Sequence, residues 1–151
     1  MVQANIELLK KIRAETSASI ADCRKALEET DNDYDKALAW LKKRGLEKAD
    51  KKSDREASQG LVEAYIHNGG KIGTLIVLQC ETDFVARTDE FKGLAREIGM
   101  QISAMDPENV EALLKQEYIR DASQTIEDLI KSVIGKLGEN IKLREFKRFA
   151  I

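Results

Sequence analysis

The chain has 151 residues, 42% of them hydrophobic and 34% charged, with one proline and a net charge of −2. That size fits one compact domain or a small module joined to a larger one, and the near-neutral balance announces no nucleic-acid or membrane partner. No apolar run approaches the roughly 20 residues that cross a bilayer, and the amphipathic start MVQANIELLKK lacks a signal-peptide core.

Residues 5–45 carry three helical patterns. Ile6, Leu9 and Ile12 share one face, Ile20, Cys23 and Leu27 the next, and Tyr34, Ala37, Leu38 and Leu41 the third. Ser17 and Asp33 are candidate N-caps, because each side chain can accept a bond from a free amide at a helix start. Gly45 suits the left-handed residue that ends the third helix. Residues 1–45 are therefore expected to form a three-helix module. Residues 46–58, LEKADKKSDREAS, hold almost nothing to bury and are expected to be a charged, solvated linker.

A second unit is expected over 59–151. Leu61 to His67 reads as a strand, Asn68-Gly69-Gly70 supplies the positive backbone angles of a hairpin turn, and Lys71 to Glu81 returns antiparallel. Leu75-Ile76-Val77-Leu78 is apolar on both faces, which predicts a central strand. Phe91, Leu94, Ile98, Ile102 and Met105 form one helical stripe, ending near Pro107. Ile126, Leu129, Ile130, Val133, Ile134 and Leu137 form another, closed by Gly138, with a weaker helix around Val110, Leu113 and Leu114 between them. Ile141 to Ile151 reads as a third strand, although Glu145 and Phe146 break its alternation. The fold class is thus α+β: an N-terminal three-helix module, a linker, and a three-stranded antiparallel sheet covered on one face by helices. Nothing remains to cover the other face, which predicts a partner, either a second copy or another protein.

Chemistry is scarce. His67 is the only histidine, and with Cys80 it could at most make a thiol dyad lacking an orienting group or an oxyanion hole. One histidine and two dispersed cysteines lack metal-ligand spacing. Cys23 and Cys80 read as two free thiols serving as small core residues. No GxxxxGK[ST] or GxGxxG stretch occurs, so nucleotide binding by the chain itself is not expected. The basic stretch Lys42-Lys43-Arg44 and the terminal Lys142, Arg144, Lys147 and Arg148 lie among acids without interleaved aromatics, which favours solvated charge over an RNA surface. The expectation is no catalysis, no cofactor, no metal, no direct nucleic-acid contact and no membrane.

ETDFVAR, residues 81–87, stands apart. It joins the second strand to the first core helix with no glycine or proline, and it sets Phe84 between charged neighbours. As the ordinary start of a helix it would account for Val85, and for Asp83 at the positive helix end. It accounts poorly for Phe84.

Three stretches resemble the bacterial translation elongation factor Ts family: IRAETSASIADCRKALEETDNDYDKALAWLKKRG, GLVEAYIHNGGKIGTLIVLQCETDFVARTDEF and IGKLGENIKLREFKRFAI. The first resembles that family's ubiquitin-associated-like module. The second contains the family's signature TDFVAR, and the third resembles its closing helix and strand. Ser17-Ala18-Ser19-Ile20 departs from the Gly-Ala-Gly-Met-like turn usual there. The resemblance implies a cytoplasmic guanine-nucleotide exchange factor for elongation factor Tu, in its GDP-bound and nucleotide-free states. It further implies that Asp83 and Phe84 meet the partner's nucleotide-binding domain, with Phe84 entering an apolar slot and disturbing the magnesium and phosphate region. Thr82, Val85 and Arg87 complete the signature; Val85 is expected to seat the corner on the core and Arg87 to pair with an acid. Lys10, Arg13, Asp22, Arg24 and Lys25 are candidates for further contacts by exposure alone. Longer family members carry two related core halves and a coiled-coil insertion. This chain has room for one half, is shortened around residues 106–118, and so resembles short members that restore the missing half by homodimerisation. The alternative class is a ubiquitin-associated-type adaptor fused to an α+β interaction domain, which would leave TDFVAR unexplained.

Overall fold

The computed structural model describes residues 2–151. It opens with α1 (Ile6–Thr16), α2 (Ile20–Glu29) and α3 (Tyr34–Asp50). Side chains begin each helix: Asn5 accepts from the Glu7 and Leu8 amides, Ser19 from Asp22, and Asp33 from Lys36. Ser17 is not an N-cap. It takes a left-handed φ of 55° and closes α1, donating its amide to the Arg13 carbonyl, so the two short helices are separated by one serine that stops and one that starts. Ile12, Cys23, Ala26, Leu27, Ala37 and Leu41 form the buried centre of this bundle. Ile6 and Ile20, expected on the buried faces, are 69% and 53% exposed. Each is the first residue of its helix, and a helical side chain leans back toward the N-terminus, past the end of the bundle.

α3 does not stop at Gly45; it runs on to Asp50. Gly45 sits where a β-carbon placed on Gly135 of α7 (Ile126–Leu137) would come within 3.4 Å of the Gly45 α-carbon. Two glycines thus face each other where the helices meet, and the last turn of α3 buries Ala49 in the core of the second unit. Lys131 of α7 adds an ion pair with Asp50 at 2.9 Å. Burial and close helix packing offset the roughly 1 kcal/mol that a glycine costs inside a helix. Of the expected linker, 46–50 is helix and 51–58 is turns and irregular chain.

The sheet has the order β1-β2-β5, from β1 (Gln59–His67), β2 (Ile72–Cys80) and β5 (Ile141–Ala150), antiparallel throughout. Asn68, Gly69 and Gly70 all have positive φ at the hairpin between β1 and β2. Thr74, Ile76, Leu78 and Cys80 point from β2 into the core, and Ile141 and Leu143 join them from β5. α5 (Asp89–Met105) and α7 cover that face. Thr88 caps α5, and Thr125 with Asp128 makes a reciprocal capping box on α7, whose end is Gly138 at φ 75°. The broken alternation of β5 is a bulge: Leu78 pairs with Leu143 and Val77 with Glu145, leaving Arg144 unpaired. The extra residue moves the inward set from Ile141 and Leu143 to Phe146 and Arg148.

Between α6 (Val110–Lys115) and α7 lies a small hairpin, β3 (Glu117–Tyr118) with β4 (Asp121–Thr125), which the polar sequence did not signal. A fully buried glutamine anchors it. Gln101 of α5 donates to the Gln116 side chain and the Glu117 carbonyl, and accepts from the Ile119 amide at 3.0 Å. Tyr118 donates its hydroxyl to Glu97.

The other face of the sheet is bare. Val62, Ile66 and Phe149 are 65%, 65% and 68% exposed, and Ala64 and Leu75 are exposed between them. Register sets Val62 opposite Val77, Ala64 opposite Leu75, and Ile66 and Phe149 on either side of Gly73, making one contiguous apolar surface.

Candidate functional site

ETDFVAR turns the chain from β2 into α5 through one helical turn, α4 (Asp83–Ala86). Thr82 is its N-cap, with a hydroxyl that accepts from the Val85 amide at 3.3 Å. Ala86 is buried and Val85 packs half-buried on the core, so this side of the turn is seated. On the other side Asp83, Phe84 and Arg87 face solvent. Asp83 and Arg87, four residues apart, are paired at 3.0 Å. Phe84 is 76% exposed, whereas Phe91, seven residues later, is completely buried. Burying a phenylalanine yields roughly 1.5–3 kcal/mol, and the isolated chain leaves most of that unused at Phe84.

The turn is tied down from beneath by residues that sequence reasoning did not single out. Glu139, in the connection between α7 and β5, accepts from the Thr82 amide at 2.9 Å and from the Thr82 hydroxyl at 2.8 Å. Glu81, at the end of β2, accepts from the Asn140 amide at 2.7 Å and pairs with Arg55 at 3.6 Å. Asn140 is buried, and its side-chain amide donates to the carbonyls of Ser53 and Arg55. The two glutamates thus reach across in opposite directions, and Asn140 binds in the chain that leaves α3. The only local signal was the polar Glu139-Asn140 pair between a helix stop and a strand. Its partners lie more than 50 residues away in sequence.

The thiol dyad considered from sequence finds no geometry. Cys80 pairs with Gln59 and His67 with Ile72, at opposite ends of the hairpin. Eight residues of strand separate those ends, about 27 Å, so no dyad forms. Cys80 is buried, donates to the Thr82 carbonyl at 3.0 Å, and has its thiol pKa pushed up by burial. Both cysteines are free. Among the described residues no cluster of three or more His, Cys, Asp or Glu could hold a metal ion, and no helix is long and apolar enough to cross a membrane. Of the terminal basic residues, Arg148 is engaged internally, donating to the Ser103 carbonyl and pairing with Asp106.

A cleft of about 830 Å³ lies where the helical bundle meets α7, with Ser17, Asp22, Lys42, Lys48, Asp121 and Lys136 in its walls. Lys10, Arg13, Arg24 and Lys25 are exposed on the bundle. Asp22 is half-buried and already engaged: it accepts from Lys48 at 2.5 Å and from Ser19 at 2.6 Å.

A family model described as Elongation factor TS matches residues 81–151, and one described as Elongation factor Ts, mitochondrial, N-terminal matches residues 1–50. A protein named Elongation factor Ts from Coprothermobacter proteolyticus is 41% identical over 195 aligned positions, covering 99% of both chains. The chain belongs to the elongation factor Ts family. Another relative of that name, from Nostoc sp., is 47% identical over 151 residues, and a third, from Rippkaea orientalis, is 38% identical over 197. The chain spans 48% of the Nostoc protein's length and 79% of the Rippkaea protein's. The TDFVAR corner and its Glu139 anchor both lie within the elongation factor Ts match over residues 81–151.

The Asp22–Lys48 pair predicts an acid-sensitive bundle. The Lys48 ammonium, then the Ser19 hydroxyl, hold the Asp22 carboxyl below its usual range. A carboxylate with a lowered folded pKa stabilises the fold fully above its unfolded value of about 4, and that contribution is lost as pH falls through the folded value. The stability gap between the wild-type protein and Lys48→Met, measured by urea unfolding, should therefore be present at pH 6 and shrink toward pH 2. An equal gap at both pH values would show that the pair is not its source.

Proposed function

We propose that this protein is a guanine-nucleotide exchange factor acting on elongation factor Tu in the cytoplasm, and that Phe84 is the wedge it inserts. The observation that carries this reading is a 76%-exposed phenylalanine on a corner anchored from below, in a chain of the elongation factor Ts family. The reaction needs no covalent chemistry in this chain. GDP is held on such partners by backbone amides around its phosphates and by bridging magnesium. A factor that binds the nucleotide-free partner more tightly than the GDP-loaded one lowers GDP affinity, and by linkage GDP lowers the factor's affinity by the same ratio.

Phe84 alone has limited leverage. Its full burial in a partner's apolar slot is worth roughly 1.5–3 kcal/mol, about one to two powers of ten in affinity. Asp83, beside it and paired with Arg87, brings negative charge toward the magnesium-binding region. Arg87 shields that charge in the free protein and can exchange to an acid of the partner. Thr82 and Val85 hold the turn by cap and by core contact. The helical bundle, rigidly continued into the core by α3, offers a second point of attachment that would fix the direction of the wedge.

The bare sheet face supports a homodimer. Val62, Ala64, Ile66, Leu75 and Phe149 form one apolar surface, with Glu145 and Lys147 of β5 bordering it. A second copy brings an identical surface and opposite charges within reach of each other, the self-complementarity that a two-fold interface requires.

Phe84→Ala should fold with unchanged stability, because little contact is lost, and should stimulate release of a fluorescent GDP analogue from elongation factor Tu about 10- to 100-fold less than the wild type. Full stimulation would rule out the wedge. In the same assay, a loss with Asp83→Asn assigns that residue's effect to its charge near the magnesium site, and an unchanged rate confines Asp83 to the helix end. Light scattering at micromolar concentration should give twice the chain mass, reduced to one chain by Leu75→Glu. A wild-type monomer would refute the dimer.

A further inference from the structure

We propose that Glu139 is a positioning residue for the exchange reaction: it acts through Thr82 to hold the α4 turn in the one orientation that aims Phe84 outward. This rests on the wedge reading above. The reason for needing such a residue is the length of α4. Four residues cannot hold a helical turn unaided, since nucleation is unfavourable and a helix gains stability only by extension or tertiary contact. Below the turn Val85 and Ala86 provide apolar contact, which is non-directional, and at its far end the Thr88 hydroxyl and amide donate to the Val85 carbonyl, so the end that leaves β2 is the one that still needs a directed tie.

Glu139 supplies direction. One carboxylate takes both the amide and the hydroxyl of Thr82, at 2.9 and 2.8 Å, two charge-assisted bonds that fix the N-cap residue in position and rotation. The same hydroxyl faces the Val85 amide, so the bond that orients Thr82 also starts the turn. Glu139 is itself fixed on both sides in the chain. Gly138 before it is the left-handed stop of α7, and Asn140 after it is buried, bound through its amide to Glu81 and through its side chain to Ser53 and Arg55. Phe84, two residues beyond Thr82, is held only through the backbone of the turn, its carbonyl accepting from the Arg87 amide at 3.3 Å, and its side chain touches no anchoring polar group. Its aim is inherited from Thr82, and through Thr82 from Glu139.

The positioning role predicts a loss in rate rather than in docking. In stopped-flow release of a fluorescent GDP analogue from elongation factor Tu, Glu139→Ala should lower the maximal rate about tenfold, with the half-saturating concentration within about threefold of wild type. Glu139→Gln keeps an oxygen for the Thr82 amide and can donate to the Thr82 hydroxyl, so it should restore the rate to within about threefold. Adding Glu139→Ala to Phe84→Ala should cost nothing further, because both remove the same aimed side chain. A purely structural role would instead make the two losses multiply, and that result overturns the proposal. So does a full rate in Glu139→Ala while Phe84→Ala is impaired, an outcome that leaves the wedge intact. A full rate in Phe84→Ala removes the wedge, and the positioning role with it. If Glu139→Ala does not fold, Thr82→Ala, which deletes the hydroxyl end of the contact together with the cap on the Val85 amide, is judged by the same cycle.

Discussion

Two glutamates, one just past the end of β2 and one just before β5, reach past each other to the backbone of the neighbouring segment, and the candidate site depends on that crossing. Glu81 holds Asn140 and Glu139 holds Thr82. Adjacent antiparallel strands tend to splay where their ladder ends, and an exposed loop there would be mobile. Here both chain ends are closed by carboxylates, and Asn140 draws the segment leaving α3 into the same knot. The corner can therefore carry a solvent-facing phenylalanine without collapsing onto the core.

The knot also sits where the two halves of the molecule meet. α3 continues past Gly45 to bury Ala49 beside the core, α7 meets it glycine to glycine, and the chain then passes through Ser53 and Arg55 on its way to β1. The bundle and the corner are consequently related by a continuous helix and a set of directed hydrogen bonds. Against a single partner, two attachment points held at fixed separation lose less freedom on binding than two joined by a loose tether. The bare sheet face lies across the sheet from the α5 and α7 layer, so a second copy docked there leaves the Glu139 anchor uncovered.

Much of this architecture was legible in the sequence because it rests on local periodicity. The stripes over 91–105 and 126–137 and the Asn68-Gly69-Gly70 turn each declare themselves within a few residues. The broken phase of β5 at Glu145 and Phe146 was a real signal, the mark of a bulge at Arg144. Gly45 misled, because a glycine followed by charged residues looks like a helix stop until a second glycine, 90 residues later, turns out to face it. Ile6 and Ile20 fit the helical period but fall at helix starts, where the period carries no information about neighbours. β3 and β4 hang on Gln101, a buried polar residue that no hydrophobic pattern reveals. The corner showed the same division. Phe84 stood out by its charged neighbours, whereas Glu139 and Asn140 were invisible, since their partners are distant and their chemistry is ordinary.

The central claim is that the corner is built before any partner arrives. Amide hydrogen exchange of the free protein, followed residue by residue, tests it most directly. The Thr82, Val85 and Ala86 amides should exchange slowly, on the scale of the neighbouring end of β2 and well below unstructured rates. Random-coil exchange at those three amides would mean that the turn forms only on binding, and would contradict it.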